Sequence, residues 1–433
     1  MKRLIRLVLT ICALALVAAG CGSDDVAETA SPTTAAAAAA ATDDAAEPTG
    51  DPVKYGFLNG LSGDYSPWGQ PSLVGAEIAI DEINAEGGVL GRPVELVVQD
   101  NKSTVEGAVS GYTILSDVEE IDALGGVESD GAIAVLDTVA DQEIPTMCPA
   151  CGSTELDTKG GDWVFRITAS DTDGGIIAAQ FARDRGFQRV AILVQQTEGT
   201  LSPAAIFQDV FENKAGGEIV DVVKFDPGRS SYQAEVEQAF SNNPDAVYLA
   251  AGFESGVPIL REWERRAYGG TIIMSPDLIV PEIASLTEAL ENGVALAAIA
   301  GLNEDSATFA TFAAEYESRT GEAPSAGLYE SNQYDQYIVL ALATTAAGTT
   351  DGPAVRDKIL EVVNAPGTKV YSYAEGLAAL ANGDDINFEG ASSSLDLNNF
   401  GNLLSPSMGE MQIIDGAWTQ VGTIALDPVL RPS

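Results

Sequence analysis

Residues Tyr55–Asp100 read YGFLNGLSGDYSPWGQPSLVGAEIAIDEINAEGGVLGRPVELVVQD, a strand, a polar loop, one helix and a second strand. Leu73, Ala76, Ile80 and Ile83 recur at three- and four-residue intervals and share one face of a 3.6-residue period, which predicts a helix over Ser72–Glu86. Gly87 and Gly88 end it, because glycine accepts the left-handed backbone common at a helix C-terminus, and Pro93 discourages continuation. Val94–Gln99 resumes as a strand, completing a βαβ unit. Ligands of open parallel sheets bind beyond the carboxyl ends of the strands, so the loop Asn59–Gln70 stands where a ligand is expected.

Working outward, the same alternation continues. Strands are predicted at Lys54–Leu58, Ala123–Val127 and Ile144–Met147, with helices at Val105–Ser116 and Ala132–Gln142. A second series has strands at Arg189–Val194, Glu218–Lys224, Ala246–Ala250, Thr271–Met274 and Ala295–Ile299. Helices at Gly174–Arg185, Ala204–Ala215, Gln233–Asn242 and Val257–Arg266 separate them. Such alternation gives parallel sheets with helices on both faces. The fold class is therefore α/β, with two doubly wound parallel-sheet lobes. The tail breaks the order with helices at Ala307–Thr320, Tyr329–Ala347 and Ala354–Asn364. A hairpin of Gly409–Ile414 and Ala417–Val421 then turns at Asp415-Gly416. A chain that recrosses between lobes in this way forms a hinge above a cleft.

Before the first strand, Lys2, Arg3 and Arg6 precede an apolar run from Leu7 to Ala19, the pattern of an export signal. The run is short for a membrane span. Residues 16–21, LVAAGC, resemble a bacterial lipobox, which implies a signal peptide over 1–20 and a lipid anchor on Cys21. Residues 21–52 are rich in Ala, Thr, Asp and Glu and predict a flexible tether.

Of 433 residues none is histidine, and the net charge is -42. The missing histidine removes the His-based triads and zinc motifs together, and the charge argues against nucleic acid as a partner. No phosphate-binding GxxxxGK[ST] loop and no GxSxG elbow occur. An enzyme is not expected, nor is a cofactor or a metal.

The segments 61–100, 164–175 (VFRITASDTDGG) and 224–252 (KFDPGRSSYQAEVEQAFSNNPDAVYLAAG) resemble the branched-chain amino-acid-binding (Leu/Ile/Val-binding) family of type I periplasmic solute-binding proteins. The resemblance covers about residues 53–425. It implies a three-crossing hinge, with one lobe from 53–171 and 301–381 and the other from 172–300 and 382–433. It also implies delivery of a small solute to a membrane ABC permease. Carried over residue by residue, it places a ligand carboxylate at Ser129 and at Ala150, Cys151 and Gly152, and a ligand ammonium at Asp277. Gly152 stands where the family has a threonine. The resemblance implies an aromatic at Phe253 and a ligand contact at Thr197, where Gln196, Thr197 and Glu198 lack the ring expected between the lobes, making that side of the pocket more polar.

Each candidate has a second reading. Tyr65 and Trp68 either cover an apolar ligand group or cap a core. Ser129 receives an anion or N-caps the helix that follows, and Asp277 binds a cation or closes a turn. Cys148 and Cys151 form a CxxC, open to a disulfide, a redox centre or half a zinc site. Export and Pro149 favour a stapled turn. The functional expectation is a lipid-anchored extracytoplasmic protein binding a small polar solute, an amino acid or amide-like compound. A ligand sensor presenting its closed form to a receptor is the alternative.

Overall fold

The computed structural model describes residues 47–431 apart from 161, 292, 297–302, 304, 326 and 405–406. The expected signal peptide, Cys21 and most of the tether lie outside the described residues.

The opening unit is β1 (Val53–Asn59), α1 (Ser66–Ala85) and β2 (Val94–Asp100). The two strands pair in parallel from Val53 opposite Val94 to Asn59 opposite Asp100. Ala76, Ile80 and Ile83 of α1 are buried, as their spacing requires. The helix begins six residues before Ser72, which shortens the expected loop to 60–65. Pro67 lies in its first turn, where a missing N–H costs no intrahelical bond. Gly87 and Gly88, at φ 92° and 72°, end it, and the Gly88 N–H donates to the Ile83 carbonyl.

The first lobe continues through α2 (Val105–Thr113), β3 (Ala123–Gly125), α3 (Ser129–Asp141), β4 (Thr146–Cys148), α4 (Leu156–Lys159) and β5 (Val164–Arg166). The second contains α5 (Asp171–Asp184), β6 (Arg189–Gln195), α6 (Glu198–Asn213), β7 (Glu218–Phe225), α7 (Gln233–Phe240) and β8 (Ala246–Ala250). It goes on through α8 (Phe253–Arg266), β9 (Thr271–Met274), α9 (Pro281–Ala284) and β10 (Val294–Leu296). Then come α10 (Ala307–Thr320), α11 (Glu330–Ala347), α12 (Gly352–Val363), β11 (Thr368–Val370), α13 (Tyr373–Asn382) and β12 (Ile386–Phe388). The hairpin β13 (Ser407–Ile414) and β14 (Ala417–Ala425) closes the chain. Its turn has Asp415 and Gly416 both at positive φ, as a two-residue hairpin requires.

The first sheet runs β2-β1-β3-β4-β5, all parallel. In the second, β7-β6-β8-β9-β10 repeat that relative order in parallel, and β13 and β14 add antiparallel strands at the far edge. Each sheet therefore reverses its winding direction once, between β1 and β3 and between β6 and β8. A crevice opens at each such reversal beyond the carboxyl ends of the strands. Both loops that a ligand would meet are fixed by this topology.

Tyr55 and Phe57 of β1 pack with α1 and α11 in the first core. The Tyr337 hydroxyl donates to the Gly56 carbonyl at 2.9 Å, and the Tyr55 and Thr344 hydroxyls share a hydrogen bond of 3.0 Å. Every residue of α11 from Glu330 to Thr344 is buried, so it has no solvent face to mark it as a surface helix. In the second core, Phe207 stacks on Phe211 and on Tyr248 with ring centroids 5.4 and 4.7 Å apart.

Several sequence expectations change. The three-residue strands β5, β11 and β12 are too short for alternation to reveal, and α13 was not anticipated. The tether ends earlier than residue 52, since the Thr49 N–H donates to the Gly91 carbonyl and Arg92 donates to the carbonyls of Asp51 and Pro52. The strand expected at Ala295–Ile299 is Val294–Leu296, and the rest lies outside the described residues. Residues 382–404 do not join the second lobe. Ile386, Phe388, Ala391, Leu395 and Leu397 pack in the first core, with Leu403 against it.

Where α1 crosses α11, a Cβ added at Gly75 would overlap the Glu330 backbone carbonyl, and neither helix backbone can yield easily. Gly75→Val is expected to lower the unfolding free energy by about 2–3 kcal/mol, the cost of overpacking a well-filled contact. Denaturant midpoints with an unchanged m-value check this.

Candidate functional site

The two crevices face one another across a cavity of about 800 Å3, its open mouth included. The first lobe contributes Tyr65 and Trp68 from the start of α1, Glu128, Ser129 and Asp130 from the start of α3, and Ala150 and Gly152 after β4. The second contributes Asp171 at the start of α5, Gly199 in α6, Tyr248 on β8 and Ser275 to Asp277 after β9. Thr168 to Ser170 from the first crossing and Tyr329 before α11 close the sides.

Six of the nine candidate ligand residues thus come together: Tyr65, Trp68, Ser129, Ala150, Gly152 and Asp277. Three do not line the cavity. Cys151 is fully buried behind it and is joined to Cys148 as a disulfide, their Cα atoms 5.6 Å apart. Thr197 is the N-cap residue of α6, with its hydroxyl turned to the Thr200 hydroxyl at 2.8 Å. Phe253 opens α8 and packs against the second core. Nor is Ser129 an N-cap. Glu128 takes that position, accepting from the Gly131 N–H at 3.1 Å, so α3 starts at Ser129 instead of Ala132. The Ser129 hydroxyl accepts the Ser153 N–H at 3.3 Å.

Arg166, 1% exposed, shapes the loop after β4. Its guanidinium donates to the carbonyls of Gly152 and Ser153 at 2.8 and 2.9 Å and to Cys151 at 3.4 Å, and it pairs with Asp157. Asp157 in turn accepts from the hydroxyls of Ser170 and Thr172, both at 2.6 Å. The loop is thereby tied to the start of α5, and the charge of Arg166 is directed away from the cavity.

The rims of the two lobes are hydrogen-bonded to each other. Asp130 accepts from the N–H groups of Glu198 and Gly199 at 2.8 and 3.3 Å, and from the Tyr65 hydroxyl at 3.1 Å. Asp64 accepts from the Glu254 N–H at 2.7 Å and from Gln195 at 3.0 Å. Each aspartate of the first lobe therefore caps a helix of the second, α6 and α8, where the macrodipole favours a negative charge. Ser153 adds a bond of 2.6 Å to Glu198, and the Thr154 N–H donates to Ser202 at 3.0 Å.

Inside the cavity lie Asp171 and Asp277. A Cβ at Gly152 would overlap the Asp171 carboxylate, so the residue at 152 has given up a side chain to a carboxylate from the other lobe. Asp171 Oδ2 is buried without a hydrogen-bond partner, as is Trp68 Nε1. Burial pushes Asp171 up to about 8, with Ser202 and Arg166 opposing and the Asp277 charge raising it further. Burial, then the charges of Asp64 and Asp130, push Asp277 up to about 7. Burial likewise raises Glu128 to about 7. Asp171 falls in the quoted segment 164–175, three residues before the helix expected from Gly174, with nothing in the sequence to single it out. Tyr248 was predicted only as part of a strand, and Tyr329 only as the first residue of a helix. Their convergence is a product of the tertiary fold.

Two lobes, each with a winding reversal facing a shared cavity, define a two-lobed α/β binding protein. The family model for periplasmic binding proteins matches residues 52–376, and the chain belongs to that family. It is 29% identical over 232 residues to the Leu/Ile/Val/Thr-binding protein of Salmonella typhimurium, covering 52% of this chain and 62% of that one. It is 23% identical over 364 residues to the chemotactic signal transduction substrate-binding protein BasB of Halobacterium salinarum, covering 80% and 84%. Curated Leu/Ile/Val-binding relatives are thus matched over about three fifths of their length. The crystal structure of the branched-chain amino acid transporter substrate-binding protein LivJ of Streptococcus pneumoniae, in complex with isoleucine, shares the fold at a TM-score of 0.72 and 22% identity. That match covers 86% of this chain and 99% of that one. Among the described residues no helix is long and apolar enough to cross a membrane, and no group of three His, Cys, Asp or Glu side chains is placed to hold a metal.

Removing Arg166 leaves the Cys151–Ser153 carbonyls and Asp157 without their shared donor. Arg166→Met is expected to destabilise by about 3 kcal/mol, the cost of breaking a buried pair, read as a lower melting temperature. A second expectation concerns pH. Glu128, Asp171 and Asp277, together with Glu330 (about 8) and Asp335 (about 7), hold protons in the folded state that an unfolded carboxyl, at about 4, releases. Because the folded state binds more protons between about pH 4 and 8, stability falls as pH rises through that window. The melting temperature at pH 5 should exceed that at pH 8.5. A flat or rising profile would contradict it.

Proposed function

We propose that this protein is the extracytoplasmic solute-binding component of an ABC importer, anchored to the membrane through a lipidated Cys21. It captures a small polar solute, an amino acid or amide-like compound, between its lobes and presents the closed form to a membrane permease. The observation that carries this reading is the cavity at the facing winding reversals, lined from both lobes. A solute touching both sides favours closure, because it interacts fully only when the lobes meet. Membership of the periplasmic binding protein family and the likeness to Leu/Ile/Val-binding proteins support it. The protein is read as a binder and not an enzyme, in keeping with its membership of a binding-protein family. A second reading, a sensor whose closed form engages a receptor, draws support from the likeness to BasB.

Calorimetry of the full chain against amino acids, amides and urea tests the first reading. Saturable one-to-one heat is expected, with affinity weakened at least tenfold in Asp277→Ala. Glu237→Ala should be neutral, since that carboxylate is exposed and faces Arg266 at 3.3 Å. Equal affinities in the two variants would remove Asp277 from the site.

A further inference from the structure

The cavity's charge is one-sided. Its ionisable lining residues other than the tyrosines are Glu128, Asp130, Asp171 and Asp277, and no lysine or arginine joins them among the described residues. Two of these carboxylates already have partners. Glu128 accepts from Gly131 and from Asn101, and Asp130 accepts from two amides and the Tyr65 hydroxyl. Asp171 and Asp277 differ. Asp171 Oδ2 has no partner, and no hydrogen bond reaches the Asp277 carboxylate from any described residue.

The helices that open on the cleft offer little to an anion. The N-terminus of α3 is capped by Glu128, α6 by Asp130 and α8 by Asp64, while that of α5 is capped by the Ser170 hydroxyl. Protein carboxylates have taken the positions where a ligand anion gains most from the macrodipole. Arg166 lowers the Asp171 proton affinity without lining the cavity, its two terminal nitrogens donating to the loop carbonyls and to Asp157 while Nε is buried without a partner. Beside the two spare carboxylates stand the rings of Tyr65, Trp68 and Tyr329, the indole centroid 5.4 and 5.2 Å from its neighbours. Aromatic faces with carboxylates form a common recognition set for organic cations.

We propose that the solute taken by this cleft is a small organic cation with two protonated nitrogen groups, held by the Asp171 and Asp277 carboxylates and by the rings of Tyr65, Trp68 and Tyr329. This rests on reading the cleft as the solute site. Such a ligand neutralises the one pair of cavity carboxylates that the protein leaves unmatched, and its hydrocarbon body fits against the rings. Burial above all, with neighbouring carboxylate charges (Asp277 on Asp171, Asp64 and Asp130 on Asp277), holds both acids partly protonated at neutral pH, which is the state expected of carboxylates awaiting a counter-charge.

The test is calorimetry of the full chain with 1,4-diaminobutane and agmatine, with L-lysine and L-arginine, and with L-leucine and acetamide. At least one of these four compounds, each with two protonated nitrogen groups, should bind one-to-one, with leucine and acetamide at least tenfold weaker. Binding of the amino acids alone would identify a basic amino acid as the source of the two nitrogens; binding of the carboxylate-free pair as well would identify a diamine. Asp171→Asn and Asp277→Asn should each weaken the bound compound at least tenfold while retaining the melting temperature. Leucine or acetamide binding as tightly as every one of the four, or an Asp171→Asn variant of unchanged affinity, overturns the charge assignment and leaves the cleft a solute site. Silence from all four also overturns it. In that case heat from leucine or acetamide preserves the broader solute-binding reading, and silence from these too removes it.

Discussion

The Arg166 guanidinium is the contact on which the first lobe's side of the cleft depends. A buried cation must be matched, and this one is matched by three consecutive carbonyls of the Cys151–Ser153 loop and by Asp157. Gathering three carbonyls around one donor group bends the loop so that Ala150 and Gly152 border the cavity. The Cys148–Cys151 disulfide restrains the four residues that lead into this loop and meets it at Cys151. Asp157 extends the network to Ser170 and Thr172, so the first crossing between lobes and the ligand loop are parts of one hydrogen-bonded unit. A hinge strand attached this way cannot shift without disturbing the loop it serves.

The repeated strand order sets the rest. Because both sheets reverse at the equivalent pair of strands, helix N-termini from each lobe converge on one space. The positive helix ends gathered in the cleft create a demand for negative charge, which protein carboxylates meet at α3, α6 and α8. Asp64 and Asp130 reach across from the first lobe to α8 and α6. The pairing joins the lobes and at the same time removes two positive ends from the set a solute can use.

Much of this architecture is legible in the residues. The spacing of Ala76, Ile80 and Ile83 locates α1, the apolar runs at Ala246–Ala250 and Thr271–Met274 locate β8 and β9 with their bounds, and Asp415-Gly416 locates the hairpin turn. What escapes is local structure that depends on distant partners. The segment 66–71, with two prolines and a glycine, reads as loop, yet it is the first turns of α1 and carries Trp68 into the cleft. Residues 382–404 have no strong period and are assigned to their lobe by the packing of Ile386, Phe388, Ala391, Leu395 and Leu397 and by the hydrogen bonds of Ala391 and Ser392 to Asp335. The site is legible in half. Ser129, Gly152 and Asp277 follow strand ends and are reached through the family resemblance. Asp171, Tyr248 and Tyr329 meet only because lobes folded far apart in sequence face one another.

Gly152 shows how a local departure is explained by a remote residue. The missing hydroxyl at that position suggests a weakened polar site when the loop is considered by itself. In three dimensions the space belongs to the Asp171 carboxylate, so a hydrogen-bond donor has been exchanged for an acceptor that carries charge. The rim bonds of Asp64 and Asp130 form between protein groups and stabilise the closed arrangement whichever solute is present. A contact indifferent to the solute adds to every affinity equally and discriminates between none. Selectivity must therefore arise from groups that closure leaves unmatched, and in this cavity the unmatched charge is that of Asp171 and Asp277.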